Sequence, residues 1–405
     1  MWGVSQKEQN PSVAAATRRR AGEDPPERGW FVAKRVKHSA RFSGREWAAA
    51  LVVVAVGTVV RLVVLGVIAK ANGESLAGLL NKWDARYYTE IARVGYFHAN
   101  IPTDGPVYEN SLAMFPGYPL VIRAFSFLGW PEAPVGMTLN FFFTVVLAAG
   151  VMALAARMGA GFAGRIAAAV VVTSAPMSIV FTMPYTEALF GALLIWALVA
   201  LSDKNWLVAS VLIFGLSFVR LTAIDAVACF AVMVALYAPR QWKAWAGVVF
   251  SAMPLAGYLS WSSHYLGDVG GYFGMQNKHW HSAFDFGLAT FSWVASVLGT
   301  SDNAGYLLCA FVILGAPVLV VLAWRRLPAP AWIFSAALVA NILLSDGIMH
   351  SRPRLLLPAA VLFIPWVLWL CARVRPAVAW GLLACWVLAG AWFSAHMLAV
   401  FEWAI

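Results

Sequence analysis

Charge is what this sequence has least of. Asp, Glu, Lys and Arg make up 12% of its 405 residues, against about 25% in a typical soluble domain. With 61% hydrophobic residues, an ordinary water-soluble globule is excluded. Cysteine is also scarce: Cys229, Cys309, Cys371 and Cys385 all fall inside apolar segments. They read as small buried hydrophobes, with neither metal-ligand spacing nor a disulfide framework. There is no Walker loop, no GxGxxG placed after a strand, no HExxH and no DxD pair, so nothing points to a nucleotide, a dinucleotide or an obligate divalent metal. No internal repeat suggests a solenoid.

What the chain does have is long oily runs. Segments near 47–69, 135–157, 164–182, 185–202, 206–221, 223–238, 244–263, 305–324, 330–346, 354–373 and 377–400 predict about eleven transmembrane helices, since some 20 apolar residues cross a hydrocarbon core about 30 Å thick. The expected fold class is therefore an all-α polytopic membrane protein. Residues 1–46 form a basic, largely disordered cytoplasmic tail, and residues 47–405 a multi-pass membrane domain whose first span acts as a retained signal anchor. If 206–238 were one bent span, every later loop would change sides. Tryptophan, at 20 residues, supplies interfacial belts.

The net charge of +10 does not indicate nucleic acid, because the cations sit where topology signals and anionic headgroups need them. With the amino terminus inside, Arg157, Arg165, Lys204, Arg240, Lys243, Arg325, Arg326, Arg373 and Arg375 fall on the inner side, and most acids fall outside. The outer loops are then long near 71–134 and 264–304. Cations that break this rule ask for a function: Lys82, Arg86, Arg93, Arg123, Arg220, Lys278, Arg352 and Arg354. Arginine forks bind phosphate through paired charge-assisted hydrogen bonds, so Arg220, Arg352, Arg354 and Arg86 are candidates for a lipid-linked phosphate. The plainer alternative pairs these arginines with Asp225, Glu187 or Asp346, or lets them snorkel.

The first outer loop carries an unusual polar and aromatic stretch, Trp83-Asp84-Ala85-Arg86-Tyr87-Tyr88. Tyr87, Ile91 and Val94 share one face of a predicted amphipathic helix over 84–94, suited to lying flat in the interface. Asp84 is expected to be that helix's N-cap, with Trp83 and Tyr88 as a hydrophobic staple, and equally to serve as a general base. Glu187 and Tyr185 mark an outer turn that can meet a sugar's hydroxyls and face, and His350, near Asp346 and Arg352, belongs to the same pocket. His279 and His281 with Asp285 offer a remote metal possibility. Arg61, inside the first span, should pair with an acid from another span.

The run Trp83 to Tyr88, followed by Ile91-Ala92, Gly95-Tyr96 and Ala113-Met114-Phe115-Pro116-Gly117-Tyr118-Pro119-Leu120, resembles the first outer loop of the PIG-V type mannosyltransferases. These belong to the GT-C superfamily of membrane glycosyltransferases. Pro184-Tyr185-Thr186-Glu187, Arg220 and Arg352-Pro353-Arg354 are similar to what such proteins carry. The resemblance spans most of 47–373. It implies a GT-C type fold and an inverting, metal-independent transfer of mannose on the non-cytoplasmic face. The donor would be a polyprenyl- or dolichyl-phosphate-mannose and the acceptor a glycolipid, glycan or protein, with Asp84 as base or acceptor-orienting carboxylate and Tyr88, Tyr185, Glu187 and His350 at the substrate. The short, Ala- and Val-rich chain looks like a bacterial plasma-membrane relative. Two rivals stay open: a flippase for lipid-linked sugars, and an O-antigen ligase or polymerase using a pyrophosphate-linked donor.

Overall fold

The structure, a computed structural model, describes residues 43–101, 105–127 and 129–403. The basic tail up to residue 42, Asp104 and the last two residues lie outside these. The described chain is helical, and its one isolated β-bridge joins Phe284 to Ser345.

Helix α1 (Gly44–Ala71) starts three residues before the predicted span, at a capping box in which Ser43 and Glu46 satisfy each other's backbone donors. It is apolar all round. Val52, Val56, Val59, Val63 and Val67 face outward, while Ala50, Val54, Gly57, Arg61 and Leu65 face the protein. That is how a helix between lipid and bundle should divide.

At the centre stand α6 (Glu132–Arg157) and α8 (Glu187–Ser202), both buried along most of their length. Around them lie α7 (Phe162–Thr173), α9 (Trp206–Leu216), α10 (Ala223–Tyr237), α11 (Trp242–Tyr265), α14 (Ala304–Leu322), α15 (Ala329–Leu343), α17 (Ile364–Arg373) and α18 (Pro376–Ala399). Four helices, α1, α6, α14 and α18, are long and apolar enough to cross a membrane. A bent pair, 349–355 with 357–373, makes a fifth. Of the other apolar segments, α7 and α9 are shorter than expected, whereas α11 runs 24 residues. The 12 residues of α7 rise about 18 Å, and the chain then leaves helical geometry at Ser174. The helical membrane class stands, and among the described residues four or five helices have the length and apolarity of a full span. The 206–238 region forms two helices, α9 and α10, with a turn between them.

Both predicted outer loops carry helices. The first folds into α2 (Leu76–Leu80), α3 (Asp84–Val94), α4 (Val107–Ser111) and α5 (Gly117–Ser126). The second forms α12 (Gly271–Trp280) and the apolar α13 (Leu288–Thr300). Helix α3 does not lie free on a lipid surface: Ala85, Tyr88, Ile91 and Ala92 are buried against the protein, and Arg86 and Arg93 point away.

Irregular backbone at membrane depth survives only where protein groups satisfy it. Arg61 does this at the end of α7. Its Nη1 donates to the Thr173 carbonyl at 2.9 Å and its other nitrogens to Thr182 and Thr58. The anticipated acid partner is absent from these contacts, because an orphan helix-end carbonyl takes its place. Asn140 of α6 does the same for the next turn, donating to the carbonyls of Met183 (2.5 Å) and Tyr185 (2.8 Å).

Two further contacts tie the loop helices together. Lys278 Nζ (2.8 Å) and His279 Nε2 (3.0 Å) both meet Glu109 Oε2, strapping α12 to α4. His279 is therefore turned to a carboxylate rather than to His281 and Asp285. The hydrogen bonds from Lys278 and then His279 hold the Glu109 carboxyl below its ordinary value of 4.5. The strap's stabilisation is complete above that value and is lost as pH falls through the lowered one. Hydrogen exchange in α12 is expected to accelerate below pH 4.5, and Glu109→Gln should produce the same acceleration at neutral pH. Exchange unchanged by the substitution would remove the strap's role.

Candidate active site

Helix α8 is a straight ruler for the two ends of the bundle. Its last turn ends beside Asp203, which is ion-paired with Arg157, and its first residue is Glu187. Glu187 begins a chain of alternating charge. Arg220 Nη1 donates to Glu187 Oε1 at 2.7 Å, Arg354 Nε lies 3.7 Å from the same oxygen, and Arg354 Nη1 donates to Asp84 Oδ2 at 2.5 Å. Asp84, Glu187, Arg220 and Arg354, up to 270 positions apart, thus meet at one place. Glu187 is the most enclosed, with 2% of its side chain accessible, and Asp84 the most open, with 25%. Any ligand arriving from solvent meets Asp84 first.

Each member is set by a local break in the chain. Trp83 takes φ 58° and ψ −128°, a conformation that costs an L-residue of order 1–3 kcal/mol. It, and not Asp84, occupies the N-cap position, and Asp84 is the first helical residue. The expected side-chain cap does not form, because the Asp84 carboxylate is engaged by Arg354. The backbone N–H of Asp84 donates instead to Tyr185 Oη at 3.2 Å. Tyr185 is 1% exposed, and its ring faces the Arg354 guanidinium at 5.2 Å. That face is taken up inside the protein, so Tyr185 aligns Asp84 with Arg354. Tyr88 is also buried, edge-on to Tyr118 (5.5 Å) and near Tyr185 (6.4 Å).

The Phe115-Pro116-Gly117-Tyr118 segment has a mechanical role. Tyr96 and Tyr258 hydroxyls donate to the Met114 carbonyl, and Tyr272 donates to that of Ala113. Held there, Gly117 N donates to the Phe218 carbonyl at 2.8 Å, two residues before Arg220. A Cβ at Gly117 would stand 2.8 Å from that oxygen, so the close approach admits only glycine. Tyr118 Oη then donates to the Gly136 carbonyl at 3.1 Å.

Other sequence candidates sit elsewhere. Arg352 is buried and turned away, with Nη1 on Thr290 Oγ1 at 2.5 Å and Nη2 on the Ser345 carbonyl. Alternate positions on one turn do not share a face, so Arg352 clamps α13 while Arg354 enters the site. His350 packs against the rings of Tyr306 and Phe401. Arg86 is exposed and donates to the Asn81 carbonyl at 3.3 Å. Among the remaining outer cations, Arg93 pairs with Glu90, Arg123 donates to the Arg93 carbonyl, and Lys82 lies over the Trp83 ring. Asp225 takes Asn341 rather than an arginine. Asn140 escaped the sequence reading, although one Asn amid the apolar run of α6 was a signal that it meets backbone.

Pro353 and Leu357, either side of Arg354, line an apolar cavity of about 360 Å³ walled by Phe311, Val312, Leu319, Trp386 and Phe393. Leu357 also borders a void of about 20 Å³ that touches Glu187. Among the described residues no group of three or more His, Cys, Asp or Glu side chains is placed to hold a metal ion.

These features define a helical membrane protein with a buried, charge-alternating cluster at one end of its bundle, beside an apolar cavity. Compared with models of protein families and with curated proteins, the chain matches none.

Removing one member of a buried pair costs about 3–5 kcal/mol. Arg354→Gln is therefore expected to destabilise the detergent-solubilised protein by that amount, and Asp84→Asn/Arg354→Gln by less than the sum of the single changes. Strict additivity in the unfolding cycle would mean the pair is not coupled. Gly117→Ala forces α5 off Phe218 and should cost about 1–3 kcal/mol, read as a lowered melting midpoint; an unchanged midpoint would show the approach to be unimportant.

Proposed function

We propose that this protein is a membrane glycosyltransferase of GT-C type. It would move a sugar, mannose first among the candidates, from a polyprenyl-phosphate donor to a hydroxyl of a glycolipid, glycan or protein. The observation that carries this reading is the 2.5 Å contact between Asp84 and Arg354, which puts a base and a phosphate ligand side by side. The acceptor oxygen attacks the anomeric carbon as the bond to phosphate breaks. The bonding pair leaves on the phosphate oxygen, and the acceptor's proton passes to Asp84. The charge growing on the leaving phosphate is met by Arg354, backed by Arg220. Arg354 is hydrogen-bonded to Asp84, so an arriving phosphate would take the guanidinium and free the carboxylate for its proton. Arg352, His350 and Arg86 act outside this step.

Two observations favour this reading over its rivals. Two guanidinium groups already balance two carboxylates, so a singly charged phosphodiester suits the cluster better than a pyrophosphate-linked donor, whose extra charge would be buried unpaired. The cluster also sits at one end of α8, whereas a transporter places its polar site at mid-membrane between repeats. The apolar cavity beside Pro353 suits the donor's lipid chain. The sorting of loop charges supports a site on the non-cytoplasmic face.

With labelled polyprenyl-phosphate-mannose and membrane acceptors, the purified protein should yield a mannosylated product. Asp84→Asn should cut turnover at least about 100-fold while leaving the protein folded. Wild-type turnover in that variant would overturn the base assignment. Label crossing the bilayer without transfer would favour the flippase.

A further inference from the structure

The end of the bundle opposite Asp84 carries a second arrangement that the transfer reaction does not use. A surface pocket of about 670 Å³ is lined by Met158, Arg326, Pro365, Trp366, Leu368 and Trp369. The Arg326 guanidinium lies 4.3 Å above the Trp366 ring. Stacked in this way, an arginine leaves its in-plane N–H groups to bind an anion. Trp366 Nε1 is enclosed and has no hydrogen-bond partner, an omission that is costly unless an acceptor arrives. The rest of the wall is apolar, and Trp369 is 57% exposed.

Charge complementarity names the occupant. Among the described residues the acids of this end are Glu46 and Asp203, and both are taken, by Arg165 and Arg157. Lys204, Arg325, Arg326, Arg373 and Arg375 outnumber them. An anion with an apolar body satisfies the guanidinium, the indole N–H and the wall together. We infer that this pocket binds the headgroup of an anionic phospholipid, its phosphate on Arg326 and its chain along Leu368 and Trp369. As the phosphate draws the guanidinium aside, its second oxygen accepts from Trp366 Nε1. The site is independent of the transferase reading, because it uses none of the same side chains.

The test is native mass spectrometry of the purified full chain, titrated with phosphatidylglycerol or with phosphatidylcholine of the same chain lengths. The wild type should retain phosphatidylglycerol preferentially. Arg326→Gln should lower that preference about tenfold and Trp366→Phe about threefold, while Arg240→Gln leaves it unchanged. If Arg326→Gln does not fold, Arg326→Lys keeps the charge but loses the stacked fork, and its preference should still fall. Equal retention of the two lipids by the wild type would overturn the inference, as would a folded Arg326 variant with undiminished preference.

Discussion

Arg354 stands between two carboxylates, and the rest of the site is arranged so that it can. Its Nη1 binds Asp84 at 2.5 Å and its Nε lies 3.7 Å from Glu187, with only 12% of the side chain accessible. Desolvating a guanidinium to that extent costs several kcal/mol unless opposite charge and hydrogen bonds return it. Here two acids do so, and the Tyr185 ring adds a third contact. Arg220 in turn keeps Glu187 from holding excess negative charge. The four groups form a neutral unit, and this is why they persist beside hydrocarbon.

The cluster exists because two helices, α7 and α9, stop early. A continuous α7 to α8 would leave no turn to carry Tyr185 and Glu187, and a continuous α9 to α10 would leave no corner for Arg220. Each stop exposes backbone groups that lipid cannot satisfy. A residue from another helix answers in each case: Arg61 for Thr173, Asn140 for Met183 and Tyr185, Gly117 for Phe218, and Tyr185 for Asp84. Arg61 and Asn140 serve broken backbone, which is why Arg61 has carbonyl and hydroxyl partners instead of an acid.

Much of this is legible in the amino-acid sequence. In so oily a chain, an acid or arginine at a span end is conspicuous, as Glu187, Arg220 and Arg354 are, and Asp84 stands out in the polar, aromatic stretch Trp83-Asp84-Ala85-Arg86-Tyr87-Tyr88. The bounds of α3 followed from its apolar spacing. Its cap did not, because the hydroxyl that caps it lies 101 positions away. Arg352 and Arg354 looked equivalent in the sequence, yet two positions along a helical turn point to different sides. Span length was less legible for a related reason: an apolar run signals enclosure, and an enclosed helix such as α7 can be short when neighbours rather than lipid surround it. Helix α13, 13 residues interrupted by small polar ones, fell below the length at which a run is recognised as a span.

Asn140 has a mechanical consequence. It fastens the turn bearing Tyr185 to α6, and both α6 and α8 are enclosed by protein. Most of the outward-facing valines and aromatics belong to the outer helices, α1, α14 and α18 among them, with Phe142 the exception on α6. When the hydrocarbon layer thickens or thins, those outer helices adjust their tilt. Of the cluster only Glu187 belongs to the central pair, so its depth is tied to enclosed helices rather than to those that meet the hydrocarbon.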